Sequence, residues 1–175
     1  MTTFATTGTG MKEKSKKMLT DEEAYWYYSL FFFGYGSLIR EGDKYLENHN
    51  LGRAHIRVIL VLRQRPGSTL SDLCHFLSVS QQAISRTLKQ LSMGGYISQE
   101  EGSTDRRQRH LYLTEKGEEI CFGLMRAQKV LLQKAFDKVG PPYSEGLSKM
   151  LIAVMQDDEY EKFRTVWSDQ TPPGN

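Results

Sequence analysis

Between Ser80 and Leu91 the chain sets out residues that could read or grip a nucleic acid: Gln81, Gln82, Ser85, Arg86 and Lys89. On a 3.6-residue helix Gln82, Ser85, Arg86 and Lys89 follow i, i+3, i+4, i+7 and share one side, while Ile84, Leu88 and Leu91 line the other. An amide can pair with adenine through two hydrogen bonds, a guanidinium with guanine or a phosphate, and a hydroxyl with either. No carboxylate stands on that side to repel a phosphate. The same pattern describes an ordinary amphipathic helix with a solvated face, so the neighbouring segments must decide. A second basic group, Asp105-Arg106-Arg107 followed by Arg109, lies in a loop rich in turn residues. Arginine suits a narrow minor groove, where negative potential is concentrated, and Asp105 is near enough in sequence to orient a guanidinium fork.

Other chemistries find little to work with. His49, His55, His75 and His110 are scattered, and no Cys/His cluster has zinc spacing, so no metal or other cofactor is expected. There is no Gly-rich phosphate loop, nucleophile elbow or paired-acid motif, which argues against an enzyme. Cys74 and Cys121 fall on apolar helix stripes and read as core thiols rather than redox switches. Two cysteines make no disulfide framework, and with no signal peptide evident the expected location is the reducing cytoplasm. The longest greasy run, Leu30 to Tyr35, is far too short for a membrane span.

The elements that must position the polar residues are legible on either side. In Thr69 to Leu77, Leu70, Leu73, Cys74 and Leu77 recur at i, i+3, i+4, i+7, and Thr69 and Asp72 stand at capping-box spacing, with Asp in place of Glu. The break Ser78-Val79-Ser80 is too short for a linker, and Ser80 is a good N-cap, so the two helices make a helix-turn-helix. Gly94-Gly95 supplies a left-handed cap that ends the second helix. Tyr96 to Glu100 and Arg109 to Leu113 then read as the strands of a hairpin with a basic tip, a wing. Charge follows the same division: residues 51–117 hold ten Lys and Arg against five Asp and Glu, whereas the remainder holds thirteen against sixteen. Positive charge therefore gathers in the segment proposed to meet DNA, although the whole chain carries only +2.

This order of parts resembles the MarR family of bacterial winged helix-turn-helix regulators. The resemblance runs from Leu51 to Gly117 and rests on Ala54 to Leu62, Pro66-Gly67, Leu70-Ser71-Asp72-Leu73, Ser80, Ser85-Arg86, Gly95-Tyr96-Ile97, Asp105-Arg106-Arg107 and Leu113-Thr114-Glu115-Lys116-Gly117. It implies a nucleoid-associated homodimer on a pseudo-palindromic operator in double-stranded DNA, usually a repressor released by a small ligand or an oxidant. Base or phosphate contacts fall to Gln81, Gln82, Ser85, Arg86 and the wing arginines Arg106 and Arg107, while Ser71, Ser80, Lys89 and Arg109 position the backbone. Two departures stand out: Gly52 where the family often has a Thr cap, and Gln81-Gln82 in place of commoner Lys, Ser and Pro types. The cysteine that peroxide-sensing members carry in the first helix is absent here. A winged helix serving as a protein-interaction module, with no DNA partner, is the competing reading.

The flanks complete the expected architecture: mainly α with a small β-hairpin wing, a winged helix-turn-helix core with flanking dimerisation helices. Residues 1–20 read as a flexible tail whose lysines could graze phosphates, and 21–50 as an N-terminal dimerisation helix. Tyr25, Trp26, Tyr27, Tyr28, Phe31, Phe32, Phe33 and Tyr35 surround that helix, so several of its sides should be buried, as between two subunits. The same rings, Tyr28 and Phe32 among them, could instead take an aromatic or phenolic effector. The family places ligands between this helix, the next one and the base of the wing, where His55 and Arg57 could meet an anionic group. Residues 118–170 form a C-terminal stalk and dimerisation helices: one helix from the Thr114 cap to about Val139, then Gly140-Pro141-Pro142, then a last helix through Trp167, possible to break near Gln156-Asp157-Asp158. The first, penultimate and last helices lack an obvious partner in the chain, and intersubunit burial is their expected home.

Overall fold

The structure, a computed structural model, describes residues 18–102 and 108–167, excluding the side chains of Pro141, Pro142, Ser144 and Trp167. It is mainly α with one antiparallel hairpin, and the chain divides into two units, residues 1–36 and 37–175. Among the described residues no helix is long and apolar enough to cross a membrane.

Helix α1, Asp21–Glu47, opens on three acids, which suit the positive end of a helix. Thr20 caps it: the Glu23 N–H donates to Thr20 Oγ1 at 3.2 Å, and the Thr20 N–H donates to Glu23 Oε2 at 3.0 Å. The residue that sequence assigns to the tail is thus the helix cap. In the first unit, Tyr25, Trp26, Tyr28, Phe32, Phe33 and Tyr35 are all exposed. The helix runs on through Gly34, where open space lies in place of a Cβ.

The second unit is organised on α2, Arg53–Gln64, whose Ile56, Val58, Ile59, Val61 and Leu62 are all buried. A helix this apolar must be covered on several sides. It meets α3 (Leu70–Leu77), α4 (Gln81–Met93), α5 (Glu115–Val139), α7 (Asp157–Trp167) and the second hairpin strand. Leu46, Leu73, Ile84, Leu91, Tyr96, Ile97, Leu111, Ile120, Cys121 and Leu124 complete one core cluster. Leu73 has no exposed surface, so its truncation to Ala would cost about 3 kcal/mol.

Each helix end of the helix-turn-helix has a local cause. Thr69 and Asp72 form the reciprocal box: Thr69 N–H donates to Asp72 Oδ2 at 2.8 Å and Asp72 N–H to Thr69 Oγ1 at 3.3 Å. Helix α3 stops because Ser78 turns left-handed, at φ +52°, letting the Val79 N–H reach the Cys74 carbonyl at 3.1 Å. Ser80 then caps α4, its Oγ accepting from the Ala83 N–H at 3.2 Å. Of the two glycines at the far end, only Gly95 is left-handed (φ +72°), and Gly94 keeps helical geometry. The Tyr96 N–H returns to the Leu91 carbonyl at 2.9 Å and the Gly95 N–H to Ser92 at 3.0 Å, the bonding of a Schellman motif.

Strand β1, Ile97–Glu101, pairs with β2, Arg109–Leu113, in the register Ile97 with Leu113, Gln99 with Leu111 and Glu101 with Arg109. Ser68 adds a single bridge to Leu111 on the open edge of β2. Thr114 caps α5, accepting from the Gly117 N–H at 3.2 Å. The last helix breaks beside Gln156, as the sequence allowed, into α6 (Pro141–Val154) and α7, because Met155 is extended (φ −65°, ψ 138°). Nor is α7 without a partner in its own chain. Lys162 Nζ donates to Ser78 Oγ at 2.7 Å, and Arg65 Nη1 donates to the Thr165 carbonyl at 2.6 Å, so α7 lies against α2 and the helix-turn-helix bend.

Candidate nucleic-acid interface

Helix α4 buries Ile84, Thr87 and Leu91 against the core and leaves Gln81, Gln82, Ser85, Arg86 and Lys89 exposed together. The helix contains no acidic residue at all. Within this set Ser85 Oγ donates to the Gln81 carbonyl at 2.6 Å. Its proton is thereby committed to the helix, and a lone pair is what it can offer a base amine. Ser80 sits at the N-terminus of α4 and Ser71 in the first turn of α3, each exposed beside N–H groups that a helix start leaves without carbonyl partners. Arg109 on β2 is exposed and gives its Nη1 to Glu101 Oε1 at 2.8 Å. Asp105, Arg106 and Arg107 lie outside the described residues.

Several residues that sequence did not assign to the site hold it in place. His55 Nδ1 accepts from the Gly52 N–H at 3.0 Å, which requires its proton on Nε2, and Nε2 donates to Gln90 Oε1 of α4 at 3.0 Å. One imidazole thus satisfies the Gly52 N–H, the part an acid or amide plays at the third position of a capping box, and ties α2 to α4. Arg57 Nη2 donates to the Leu77 carbonyl at 2.6 Å, satisfying the C-terminus of α3. Both residues were also candidate ligand contacts, and both are already engaged in holding helix ends. Tyr28 and Phe32, the other candidates, stack with ring centroids 6.4 Å apart in the first unit.

The Leu113-Thr114-Glu115-Lys116-Gly117 run acquires a physical meaning. Thr114 Oγ1 donates to the Gly95 carbonyl at 2.7 Å, and Lys116 Nζ donates to the Gly94 carbonyl at 2.8 Å while lying 4.4 Å from the Tyr96 ring centre. A Cβ at Gly117 would collide with the Tyr96 carbonyl oxygen. The start of α5 is therefore bonded to the end of α4, and Lys116 also places a cation at the negative pole of that helix.

Electrostatics of the remaining ionisable groups are structural. The Thr69 backbone N–H, followed by its hydroxyl, holds the Asp72 carboxyl below the usual range. Arg53 does the same for Asp43 across the α1–α2 connection, Nη2 to Oδ2 at 2.6 Å. Burial pushes the Cys121 thiol up, as befits a core residue 2% exposed. Among the described residues no group of three or more His, Cys, Asp or Glu is placed to hold a metal. A shallow trough runs between α4 and β1, lined by Ser85, Leu88, Lys89, Ser92, Met93 and Gln99. Continuing the i+3, i+4 steps from Lys89 reaches Ser92 and Met93, a signal present in the sequence, whereas Gln99 enters only through strand pairing.

A family model described as the MarR family matches residues 49–108, the head just described. Over 137 residues the chain is 36% identical to the HTH-type transcriptional regulator PetP of Rhodobacter capsulatus, covering 78% of this chain and 82% of that protein. The chain belongs to the MarR family. MarR-family members are transcriptional regulators, not enzymes, and this chain is one of them. Its fold is that of solved winged-helix neighbours. FabT of Streptococcus pneumoniae in complex with DNA superposes with a TM-score of 0.65 at 23% identity, over 77% of this chain and 94% of that one. A MarR mutant from E. coli complexed with operator DNA gives 0.62 at 22%, over 77% and 97%.

Proposed function

We propose that this MarR-family regulator binds a pseudo-palindromic operator as a homodimer at the bacterial nucleoid, and acts as a repressor whose affinity falls when a small aromatic or phenolic effector binds. The observation that carries the reading is the acid-free face of α4, where Gln81, Gln82, Ser85, Arg86 and Lys89 stand exposed while Ile84 and Leu91 lock the helix to the core. In this assembly residues 51–117 form the reading head, and 21–50 and 118–170 carry the subunit contacts. Each α4 enters a major groove, and half-sites lie about one helical turn, ~34 Å, apart. Gln81, Gln82, Ser85 and Arg86 meet bases or phosphates; Ser71, Ser80, Lys89 and Arg109 steady the backbone; Arg106 and Arg107, oriented by Asp105, reach the minor groove. The DNA-bound states of the FabT and E. coli MarR structures support this placement. Tyr28 and Phe32 offer rings to the effector.

Duplexes selected from the host genome, titrated by fluorescence anisotropy across a salt series, test the proposal. Binding should weaken steeply as salt rises, since several Lys and Arg contacts release counterions. Arg107→Ala should cost at least about 1 kcal/mol of operator affinity. A shallow salt slope with an unaffected Arg107 variant would instead mark the winged helix as a protein-interaction module.

A further inference from the structure

We propose that the trough between α4 and β1 seats the sugar–phosphate strand bordering the major groove on the hairpin side, with Ser92 and Gln99 as positioning residues beside Lys89. The inference rests on the placement of α4 in a major groove. A helix with its side chains is ~10–12 Å across and fills a groove ~12 Å wide, so a phosphate strand must flank it closely on each side. On one side of α4 stands the hairpin, and the trough is the space left between them. The strand on that side has to run there.

The lining suits that occupant. The groups that can donate to a phosphate are the Lys89 ammonium, the Ser92 hydroxyl and the Gln99 amide, and there is no carboxylate among the lining residues. Leu88 and Met93, the latter 78% exposed, supply apolar surface for deoxyribose. The position of Gln99 follows from register. It pairs with Leu111, and side chains two apart share a face, so it lies on the same side of β1 as buried Ile97. Glu100 falls on the opposite side, and Glu101, which shares the face of Gln99, is ion-paired with Arg109 at 2.8 Å. Arg109 thus offsets the acid that would otherwise repel a phosphate at the end of the trough. Contacts of this kind hold the duplex in register and carry no base preference.

The test compares the unaltered protein with Gln99→Glu, Ser92→Asp and Gln99→Lys on a genome-selected duplex and on a scrambled duplex of equal length, across a salt series. Gln99→Glu and Ser92→Asp should weaken both duplexes by the same factor, at least about fivefold. Gln99→Lys should tighten both and steepen the salt slope by about one, a gain that a misfolded protein cannot show. Unchanged affinity in all three variants, or a change confined to the selected duplex, would overturn the phosphate assignment while leaving DNA binding intact. Failure of the unaltered protein to bind either duplex would remove the proposed function and this inference with it.

Discussion

Gly117 sits where a single methyl group has nowhere to go. Its missing Cβ faces the Tyr96 carbonyl, a backbone atom fixed by the Schellman cap on one side and the hairpin on the other. Gly117→Ala should therefore destabilise the head by about 3 kcal/mol, at the upper end of overpacking costs, read as a lower urea midpoint with an unchanged slope. Asp72 makes a pH prediction. Its folded carboxyl is held below the ordinary value by the Thr69 N–H, so its contribution is fully present above the unfolded carboxylate range, near pH 4, and is lost as pH falls through the lowered folded value. Asp72→Asn should thus be less stable than the unaltered chain at pH 7 by about 1 kcal/mol, and the difference should vanish in acid, measured by urea unfolding at each pH. The Thr69–Asp72 box was readable because capping is local: residue type and spacing three apart suffice. His55 was not, since a histidine at the third helical position can accept the Gly52 N–H only in the tautomer with its proton on Nε2, and the acceptor of that proton, Gln90, stands on another helix.

At the scale of elements, α3, α4 and the hairpin emerged from sequence within a residue or two, since each has its own apolar period and its own stop. Helix α4 runs two residues further than the apolar stripe indicates, because the stripe ends at Leu91 while the Schellman cap closes only at Gly95. The place of α7 was hidden. Lys162 lies amid Asp158, Glu159 and Glu161 and reads as one partner in a solvated charge ladder, yet its side chain is only 18% exposed and its ammonium reaches Ser78 at the helix-turn-helix bend. Lys162→Met keeps the aliphatic stem and removes that bond. It should cost no more than about 1 kcal/mol globally, yet speed amide hydrogen exchange at Val79 and Ser80. Unchanged exchange there would show that α7 does not brace the bend.

The whole molecule exposes more apolar surface than one chain needs. In the first unit Tyr25, Trp26, Phe32, Phe33 and Tyr35 are each more than 60% exposed; in the second, Val130, Leu132, Phe136, Leu147, Met150 and Leu151 are exposed as well. Patches of this kind mark interaction surfaces. Sedimentation equilibrium should find a dimer at micromolar concentration, and Phe32→Asp should shift it towards monomer; a monomer in the unaltered protein would remove the paired-head geometry of the proposal.

The joint between α5 and α4 has a mechanical outcome. Thr114 and Lys116 fasten one rod to the carbonyl end of the other by hydrogen bonds, and Gly117 brings the two into close approach. Helix α5, 25 residues long, extends ~37 Å from that joint, so a sideways nudge of ~3 Å at its tip swings it by about 5°. Carried through that joint, the same angle would turn the glutamines and Arg86 on the shorter arm.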